Sequence, residues 1–212
     1  MPIPVISVAQ MRAWERATWA AGQTEAEVIQ RVGQRVARRA RKLTRAGDTI
    51  LFLVGKGHNG DDARAAAKQL ENRRDEVLEI FLPDTDLLPL EMALREKPAL
   101  VVDGLFGIGL NRPLGEAWRK IIAAINASKI PVLAVDVPSG LNAETGETFG
   151  AAIHASVTLT VGAPKSGMLA PAAWPFVGRL EVADDVGLVP CPPSAALNWT
   201  QPDDFKFFPP AR

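Results

Sequence analysis

Four polar residues follow apolar stretches of the sequence at positions where they could take part in chemistry: Asp62, Asp103, Asp136 and Lys165. Each comes directly or shortly after a run that predicts a buried strand, and the carboxyl ends of parallel strands meet at one rim of a sheet. We therefore expect these side chains to converge on one crevice. Taken singly, such an aspartate is most often a turn or cap residue. Lys165 is the weakest candidate, because a surface lysine in a loop needs no explanation.

A glycine-rich loop joins the first of these strands to a helix. The segment GKGHNGDD, residues 55–62, follows the apolar run 50–54 and precedes the alanine-rich segment 63–70, which predicts a helix. Glycines let main-chain N–H groups approach a ligand, and the start of a helix attracts anions. Asp61 and Asp62 oppose a bound phosphate, because like charges repel in a poorly solvated site. Either one carboxylate faces a cation or a ligand hydroxyl, or the loop binds no anion.

Two further loops carry residues suited to binding. The segment GLFGIGLNRP, residues 104–113, supplies three glycines and an arginine, which together predict a phosphate-binding loop. The alternative is a flexible glycine turn with an exposed arginine. The segment VPSGLNAETG, residues 137–146, places Ser139 close to Asp136. A nucleophilic serine is not indicated, because the G-x-S-x-G elbow is absent, so a ligand role for the hydroxyl or backbone is favoured.

Oxygen-bearing side chains in these loops suit a hard cation. Hard monovalent or divalent cations prefer carboxylate, amide and hydroxyl oxygens. Asn59, Asp103 and Ser139 would supply such a set. The pattern does not indicate a transition-metal site.

The elements that must position these residues alternate along the chain. The predicted strands are 50–54, 77–82, 100–103, 131–136, 155–161 and 179–183. Helices are predicted over 7–20, 24–46, 63–70 and 116–127, with irregular chain and a short helix over 83–98. Strands separated by helices imply right-handed crossovers and a parallel, doubly wound sheet. The sequence therefore predicts a three-layer α/β/α, Rossmann-like domain with two N-terminal helices.

The second N-terminal helix carries a strongly basic face. Arginines and lysines fill much of 24–46 outside its apolar stripe, and Thr24 followed by Glu27 predicts a capping box. Such a face could contact nucleic acid or an acidic partner, but a solvated surface is the favoured interpretation.

Beyond residue 188 the sequence becomes rich in proline. We predict one domain over 1–188 and a tail or linker over 189–212.

Composition narrows the class of protein. The 212 residues are compatible with one α/β domain, and 24 lysines and arginines balance 24 aspartates and glutamates, so no global charge points to nucleic acid or membrane. The single cysteine, Cys191, excludes an intrachain disulfide and fits a reducing compartment. The first ten residues lack a signal-peptide pattern, and no apolar run is long enough to span a bilayer. These features predict a soluble, cytoplasmic protein.

Four segments of the chain, taken together, resemble the N-terminal YjeF domain family. They are GKGHNGDDA (55–63), DGLFGIGLNRPL (103–114), AVDVPSGLNAETG (134–146) and TLTVGAPKSGML (158–169). Weaker similarity runs through AQMRAWERA and VIQRVGQRVA. The resemblance implies a Rossmann-like domain, usually dimeric, that interconverts the two epimers of hydrated NADH or NADPH. It also implies functional coupling to a partner dehydratase that restores the damaged cofactor.

The resemblance assigns roles to matching positions. It implies a potassium ion held by Asn59, Asp103 and Ser139, and Asp136 as the acid/base that contacts the hydrated nicotinamide. The implied substrate-binding residues are His58, Asn59, Gly60, Asp61, Asp62, Gly107, Ile108, Gly109, Leu110, Asn111, Arg112, Pro113 and Asp136.

The chain departs from the family pattern in its first loop. Lys56, His58, Asp61 and Ala63 stand where the family has proline, asparagine, glycine and glycine. Asp61 adds a negative charge at a tight turn, and we expect Lys56 or His58 to compensate it. An alternative function is a catalytically silent nucleotide-binding or scaffold domain.

The closing DDFKFFPPAR, residues 203–212, resembles the junction to a dehydratase domain in bifunctional members, so both a stand-alone epimerase and one domain of a longer protein remain open.

Overall fold

The computed structural model describes residues 3–191 and 197–200. Its main elements are β1 (Ile3–Pro4), α1 (Val8–Ala20), α2 (Glu25–Leu43), β2 (Thr49–Val54), α3 (His58–Lys68), β3 (Arg74–Glu79), α4 (Pro83–Arg95), β4 (Leu100–Gly104), α5 (Glu116–Ser128), β5 (Val132–Val135), β6 (Val157–Val161), α6 (Trp174–Val177), β7 (Arg179–Ala183) and β8 (Asn198–Trp199). Two short 3₁₀ turns, Ser166–Leu169 and Pro171–Ala173, lie between β6 and α6. Six strands form one sheet in the order β3-β2-β4-β5-β6-β7, and every pairing in it is parallel.

Strand β2 shows how the sheet separates two cores. Its residues Ile50, Phe52 and Val54 pack into the cluster that includes buried residues of α2 and α3. Leu51 and Leu53 point to the other face and pack with buried residues of α4 and α5. An unbroken apolar strand is required because both faces of the sheet are covered by helices. This arrangement confirms the prediction of a three-layer, mostly parallel α/β/α domain.

The strand order reverses between β2 and β4. The chain passes from β2 to its neighbour β3 on one side, and then returns to β4 on the other side of β2. Loops that leave the carboxyl ends of the two central strands therefore diverge and open a crevice, which is where ligands bind in open α/β sheets. The loops after β2, β4, β5 and β6 carry the candidate residues to this rim.

Helix α3 begins earlier than the alanine pattern predicts. It starts at His58 rather than Ala63, because Gly57, with φ of 92°, turns the chain directly into the helix. Asp61 and Asp62 therefore lie at the start of the helix and not in the preceding loop. The predicted loop over 55–62 was wrong in this respect.

Two other boundaries differ from the prediction. Strand β3 spans Arg74–Glu79 instead of 77–82, because an exposed edge strand has polar residues that hide it from an apolar pattern. The sequence predicts irregular chain and a short helix over 83–98, whereas Pro83–Arg95 is one continuous helix. Its start is stabilised by Pro83 and by the Asp86 carboxylate, which accepts hydrogen bonds from the Phe81 and Leu82 N–H groups at 2.8 and 2.7 Å.

The two N-terminal helices are capped and held against the sheet. The capping box predicted at Thr24 and Glu27 is confirmed. A Cβ on Gly33 of α2 would come within 2.7 Å of the Ala65 Cβ, so α2 and α3 pack closely. The basic face of α2 is partly neutralised within the chain: Arg35 pairs with Asp185 at 2.6 Å and Arg39 pairs with Glu181 at 2.7 Å.

Residues after 188 make contacts with the N-terminal segment. The Trp14 indole N–H donates to the Val189 carbonyl at 2.7 Å, and β8 pairs antiparallel with β1. The division between a domain over 1–188 and a tail over 189–212 stays a prediction, and the segment 203–212 lies outside the described residues. Within residues 3–191 and 197–200, no helix is long and apolar enough to cross a membrane.

Candidate functional site

A cavity of about 530 Å³ opens where the strand-end loops meet α1 and α2. One wall comes from α1 and α2, and the other comes from the start of α3, the end of β6 and the loops after β2, β4, β5 and β7. Its lining residues are Met11, Arg12, Glu15, Arg16, Trp19, Glu25, Val28, Ile29, Val32, Lys56, Gly57, His58, Asn59, Asp62, Gly107, Ile108, Gly109, Asp136, Val161 and Leu188. The volume lies within the ordinary range for a small-molecule site, and the lining combines an apolar wall with clustered charges.

Asp136 is held in an unusual backbone conformation at the end of β5. Its φ is 62°, in the left-handed region that aspartate tolerates better than most residues, and its N–H donates to the Leu159 carbonyl at 2.9 Å. Its Oδ1 accepts hydrogen bonds from the Thr160 hydroxyl, the Val161 N–H and the Lys165 ammonium at 3.1, 3.0 and 2.5 Å. Because these donors converge on Oδ1, Oδ2 is the oxygen left for the cavity.

Lys165 is a buried part of this site and not a surface residue. Its side chain is 0% exposed, and its Nζ also donates to the Thr160 hydroxyl and the Val161 carbonyl at 3.1 and 2.9 Å. The expectation that Lys165 lies with Asp136 at the strand-end rim is therefore confirmed, and the alternative of a surface lysine is wrong. The sequence signal for this role is the position of Lys165 shortly after the strand 157–161, at the same rim as Asp136, because a buried aspartate needs a counter-ion.

Asn59, Asp103 and Ser139 meet around the loop that follows β4. The Ser139 hydroxyl donates to Asp103 Oδ1 at 2.6 Å, and the Ser139 N–H donates to Oδ2 at 2.8 Å. The Asn59 side-chain amide donates to the Phe106 carbonyl at 3.0 Å, and the Phe106 N–H donates to the Ser139 hydroxyl at 2.8 Å. The structure therefore brings these three side chains together, and their role toward a cation stays a prediction.

Asp103 is a buried carboxyl whose partners are neutral donors. Burial raises the pKa of Asp103 from its ordinary value of 3.8 to about 6, although hydrogen bonds from Ser139 and from the Leu105 N–H act in the opposite direction. At neutral pH the Asp103 carboxylate is therefore ionised, and this buried charge destabilises the fold unless a cation balances it. The oxygens of Asp103, Asn59, Ser139 and the Phe106 carbonyl form a set that suits a hard cation.

Two further carboxyl groups line the cavity together with Asp136. Burial, and then the charge of Asp136, raises the pKa of Asp62 well above its usual value. Burial and the charge of Asp136 also raise the pKa of Glu15, which lies on α1. Glu15 was missed at the sequence level, because it follows no strand and only the packing of α1 over the sheet brings it here.

The charged residues that depart from the family pattern have different partners from those predicted. Asp61 pairs with Arg64, one helical turn away, at 2.7 Å. His58 instead pairs with Glu25 of α2 at 2.9 Å, and Lys56 lies 5.7 Å from the centroid of the Phe81 ring. The expectation that Lys56 or His58 compensates Asp61 was therefore wrong. The Asp61–Arg64 pair forms because both residues lie on α3, three positions apart. The sequence pattern places Asp61 in a loop, where this spacing predicts no contact.

The structure brings only part of the predicted substrate-binding set to the cavity. His58, Asn59, Asp62, Asp136 and the segment 107–109 line it. The other members do not: Gly60 lies against the Gly55 carbonyl, Asp61 pairs with Arg64, Leu110 packs on the apolar core, and Asn111, Arg112 and Pro113 are exposed. Their roles toward a substrate stay predictions.

Fold and cavity together define a doubly wound α/β domain with a cavity at its topological switch point, and with an aspartate in the cavity wall that is paired with a buried lysine. The chain belongs to the family described as YjeF-related protein N-terminus, whose model matches residues 25–90 and 81–167. A protein from Achromobacter xylosoxidans, named NAD(P)H-hydrate epimerase, is 35% identical over 207 residues, covering 89% of this chain and 98% of that protein. The name denotes an isomerase.

Two other similar proteins add to this comparison. A Gloeobacter violaceus protein, named bifunctional NAD(P)H-hydrate repair enzyme, is 36% identical over 84% of this chain but only 40% of its own length. This chain therefore matches less than half of that longer relative. The crystal structure of a yeast protein shares the fold with a TM-score of 0.64 and 21% identity, over 76% of this chain and 81% of the yeast chain.

Proposed function

We propose that this chain is an NAD(P)H-hydrate epimerase, an isomerase that interconverts the R and S forms of hydrated NADH and NADPH. The observation that carries the proposal is the Asp136 carboxylate, held by Lys165 at the wall of a cavity of about 530 Å³. Family membership and relatives that bear this name support it.

The proposed chemistry requires one carbon–oxygen bond to break and re-form. The hydrated carbon lies beside a ring nitrogen, so the hydroxyl leaves as water once it receives a proton, and the nitrogen lone pair stabilises the cation that remains. Water then adds to the opposite face and gives up a proton. Asp136 is the proposed acid/base for both proton transfers, and its carboxylate stabilises the intermediate cation by charge.

Substrate contacts are proposed for the residues that the family pattern assigns. Residues 58–62 and 107–113 would hold the phosphates and the nucleotide, with the lining members 107–109 and His58 best placed for direct contact. We further propose that the protein acts in the cytoplasm as a homodimer. Its product would pass to a dehydratase that restores the cofactor, and the relative named as a bifunctional hydrate repair enzyme supports such a coupling.

A potassium ion is proposed at Asn59, Asp103 and Ser139. When bound, it would supply a positive charge that balances Asp103. The folded pKa of Asp103 lies above the unfolded value, so its contribution to stability is present at low pH and is lost as the pH rises through about 6. The ion would offset this loss at neutral pH and order the Phe106 backbone.

Potassium is therefore expected to stabilise the folded chain at pH 7.5. With a dissociation constant on the order of 10 mM, 100 mM KCl contributes roughly 1.4 kcal/mol and raises Tm by about 4 °C relative to 100 mM choline chloride. Asp103→Asn keeps the shape of the side chain but removes its charge, so its Tm should not respond. Differential scanning fluorimetry measures both proteins, and an equal response in the variant would contradict the site.

A direct assay tests the activity. The purified chain is mixed with the R epimer of hydrated NADH, and the approach to epimeric equilibrium is followed by chromatography against a protein-free control. We expect a large acceleration. If the folded chain leaves the spontaneous rate unchanged, the epimerase assignment fails, and the altered first loop around Lys56 and Asp61 then favours a catalytically silent nucleotide-binding or scaffold domain.

A further inference from the structure

Lys165 has no assigned role, yet it is fully buried against the candidate acid/base. Its Nζ has three acceptors: Asp136 Oδ1 at 2.5 Å, the Thr160 hydroxyl at 3.1 Å and the Val161 carbonyl at 2.9 Å. An ammonium group has three N–H donors, so these contacts use all of them. Lys165 is therefore not available to donate a proton to a ligand or to attack one.

We propose that Lys165 is the positioning residue of Asp136: it fixes Oδ1 and leaves Oδ2 as the one oxygen that meets the substrate. This inference rests on the proposed function for its kinetic consequences, but not for its structural ones. The two oxygens of a carboxylate are equivalent in isolation. In this site the Thr160, Val161 and Lys165 donors make them different.

The cost of burying a lysine supports a specific role. Taking an ammonium group out of water costs several kcal/mol unless it is paired and fully hydrogen-bonded. A loop that only connected β6 to the next element would not need a buried ammonium group. Here the pairing is also directional, because a carboxylate that is free to rotate would present either oxygen at varying distances, and misplacement of about 1 Å can cost on the order of a hundredfold in rate.

The backbone around Lys165 is held from two sides. Ile6 forms a parallel bridge with Lys165, with its N–H donating to the Pro164 carbonyl at 3.0 Å and its carbonyl accepting from the Ser166 N–H at 2.9 Å. On the other side, β6 pairs with β5, the strand that delivers Asp136. Both members of the ion pair therefore start from fixed main-chain positions, which a positioning role requires.

The kinetic test replaces Lys165 by an uncharged side chain of similar length. We expect Lys165→Met to lower kcat for the R epimer of hydrated NADH by about thirtyfold while KM stays within about threefold, because the substrate still binds but meets a misdirected carboxylate. Lys120→Met, which removes an exposed lysine paired with Glu116, is the matched control and should leave both constants unchanged. A rise in KM with unchanged kcat would overturn the proposal, since it would assign Lys165 to the shape of the cavity.

A second variant covers the case in which Lys165→Met does not fold. Thr160→Val keeps the ion pair but removes one donor to Asp136 Oδ1 and one acceptor of Lys165. We expect kcat to fall by about tenfold, again with little change in KM, while Thr160→Ser restores it. Equal activity of Thr160→Val and the wild-type chain would overturn the proposal.

A crystal structure of Thr160→Val, and of Lys165→Met if it folds, provides a readout that needs no activity. In Lys165→Met we expect the Asp136 carboxylate to rotate so that Oδ1 no longer faces Val161. In Thr160→Val, which keeps the Lys165 and Val161 donors, we expect a smaller shift of the carboxylate away from residue 160. An unchanged carboxylate in both variants would overturn the positioning role even if the chain proved not to be an epimerase. Conversely, absence of epimerisation by the wild-type chain would remove the proposed function. The orientation of the Asp136 carboxylate in the variants would then still test whether Lys165 positions it.

Discussion

Asp136→Asn is expected to lower kcat/KM for epimerisation of hydrated NADH about a thousandfold. A positioned acid/base contributes between about a hundredfold and ten-thousandfold, and an amide cannot exchange the proton at neutral pH. The change keeps the shape of the side chain. Its Oδ1 can still accept from Thr160, Val161 and Lys165, and asparagine tolerates the left-handed φ of 62° at this position.

The measurement is the chromatographic rate of epimer interconversion, corrected for the spontaneous reaction. Asp84→Asn, an equivalent change at an exposed position on α4, serves as the control and should retain full activity. Circular dichroism and the melting temperature establish that Asp136→Asn is folded. If the folded variant kept more than a tenth of the wild-type rate, another group would be the acid/base, and the carboxyls of Asp62 and Glu15 in the cavity lining would be the candidates.

Gly140→Ala is expected to destabilise the fold by about 4 kcal/mol. Gly140 has φ of 93°, a conformation that costs an L-residue roughly 1–2 kcal/mol, and a Cβ there would lie 2.0 Å from the Ala151 carbonyl oxygen. Relief of that overlap must move backbone, which adds about 1–3 kcal/mol. The displaced segment includes Ser139, whose N–H and hydroxyl both bind Asp103.

Urea denaturation, followed by tryptophan fluorescence, measures this loss. Gly109→Ala is the matched control, because its Cβ would meet nothing within 4 Å and its backbone does not have a positive φ. The control should change the free energy of unfolding by less than about 0.5 kcal/mol. A Gly140→Ala variant as stable as Gly109→Ala would show that the loop after β5 shifts without resistance.

Much of the fold and the meeting of the site residues followed from one regularity of parallel sheets. Apolar runs such as 50–54 and 100–102 indicate buried strands, and each polar residue after them is expected at the same rim. The structure places Asp103 within 2.6 Å of Ser139, and places Asp62 and Asp136 in the wall of the same cavity. These placements depend on topology, which a pattern of strands and helices specifies well.

The parts that could not be predicted depend on contacts between distant segments. The burial of Lys165 depends on Ile6 and on Asp136, neither of which is near it in sequence. Glu15 reaches the cavity only because α1 crosses the strand ends. The start of α3 was misplaced because Gly57 and the residues after it look like a loop in composition, whereas the turn at Gly57 ends in the helix at once.

The bridge between Ile6 and Lys165 also bears on how the protein can be engineered. Residues at the beginning of a chain are commonly trimmed or fused to a tag, on the assumption that they are expendable. Here a deletion that includes Ile6 would remove its carbonyl, which accepts from the Ser166 N–H, and its N–H, which donates to the Pro164 carbonyl. Shortened versions should therefore retain these first residues, because they brace the segment that carries the buried lysine.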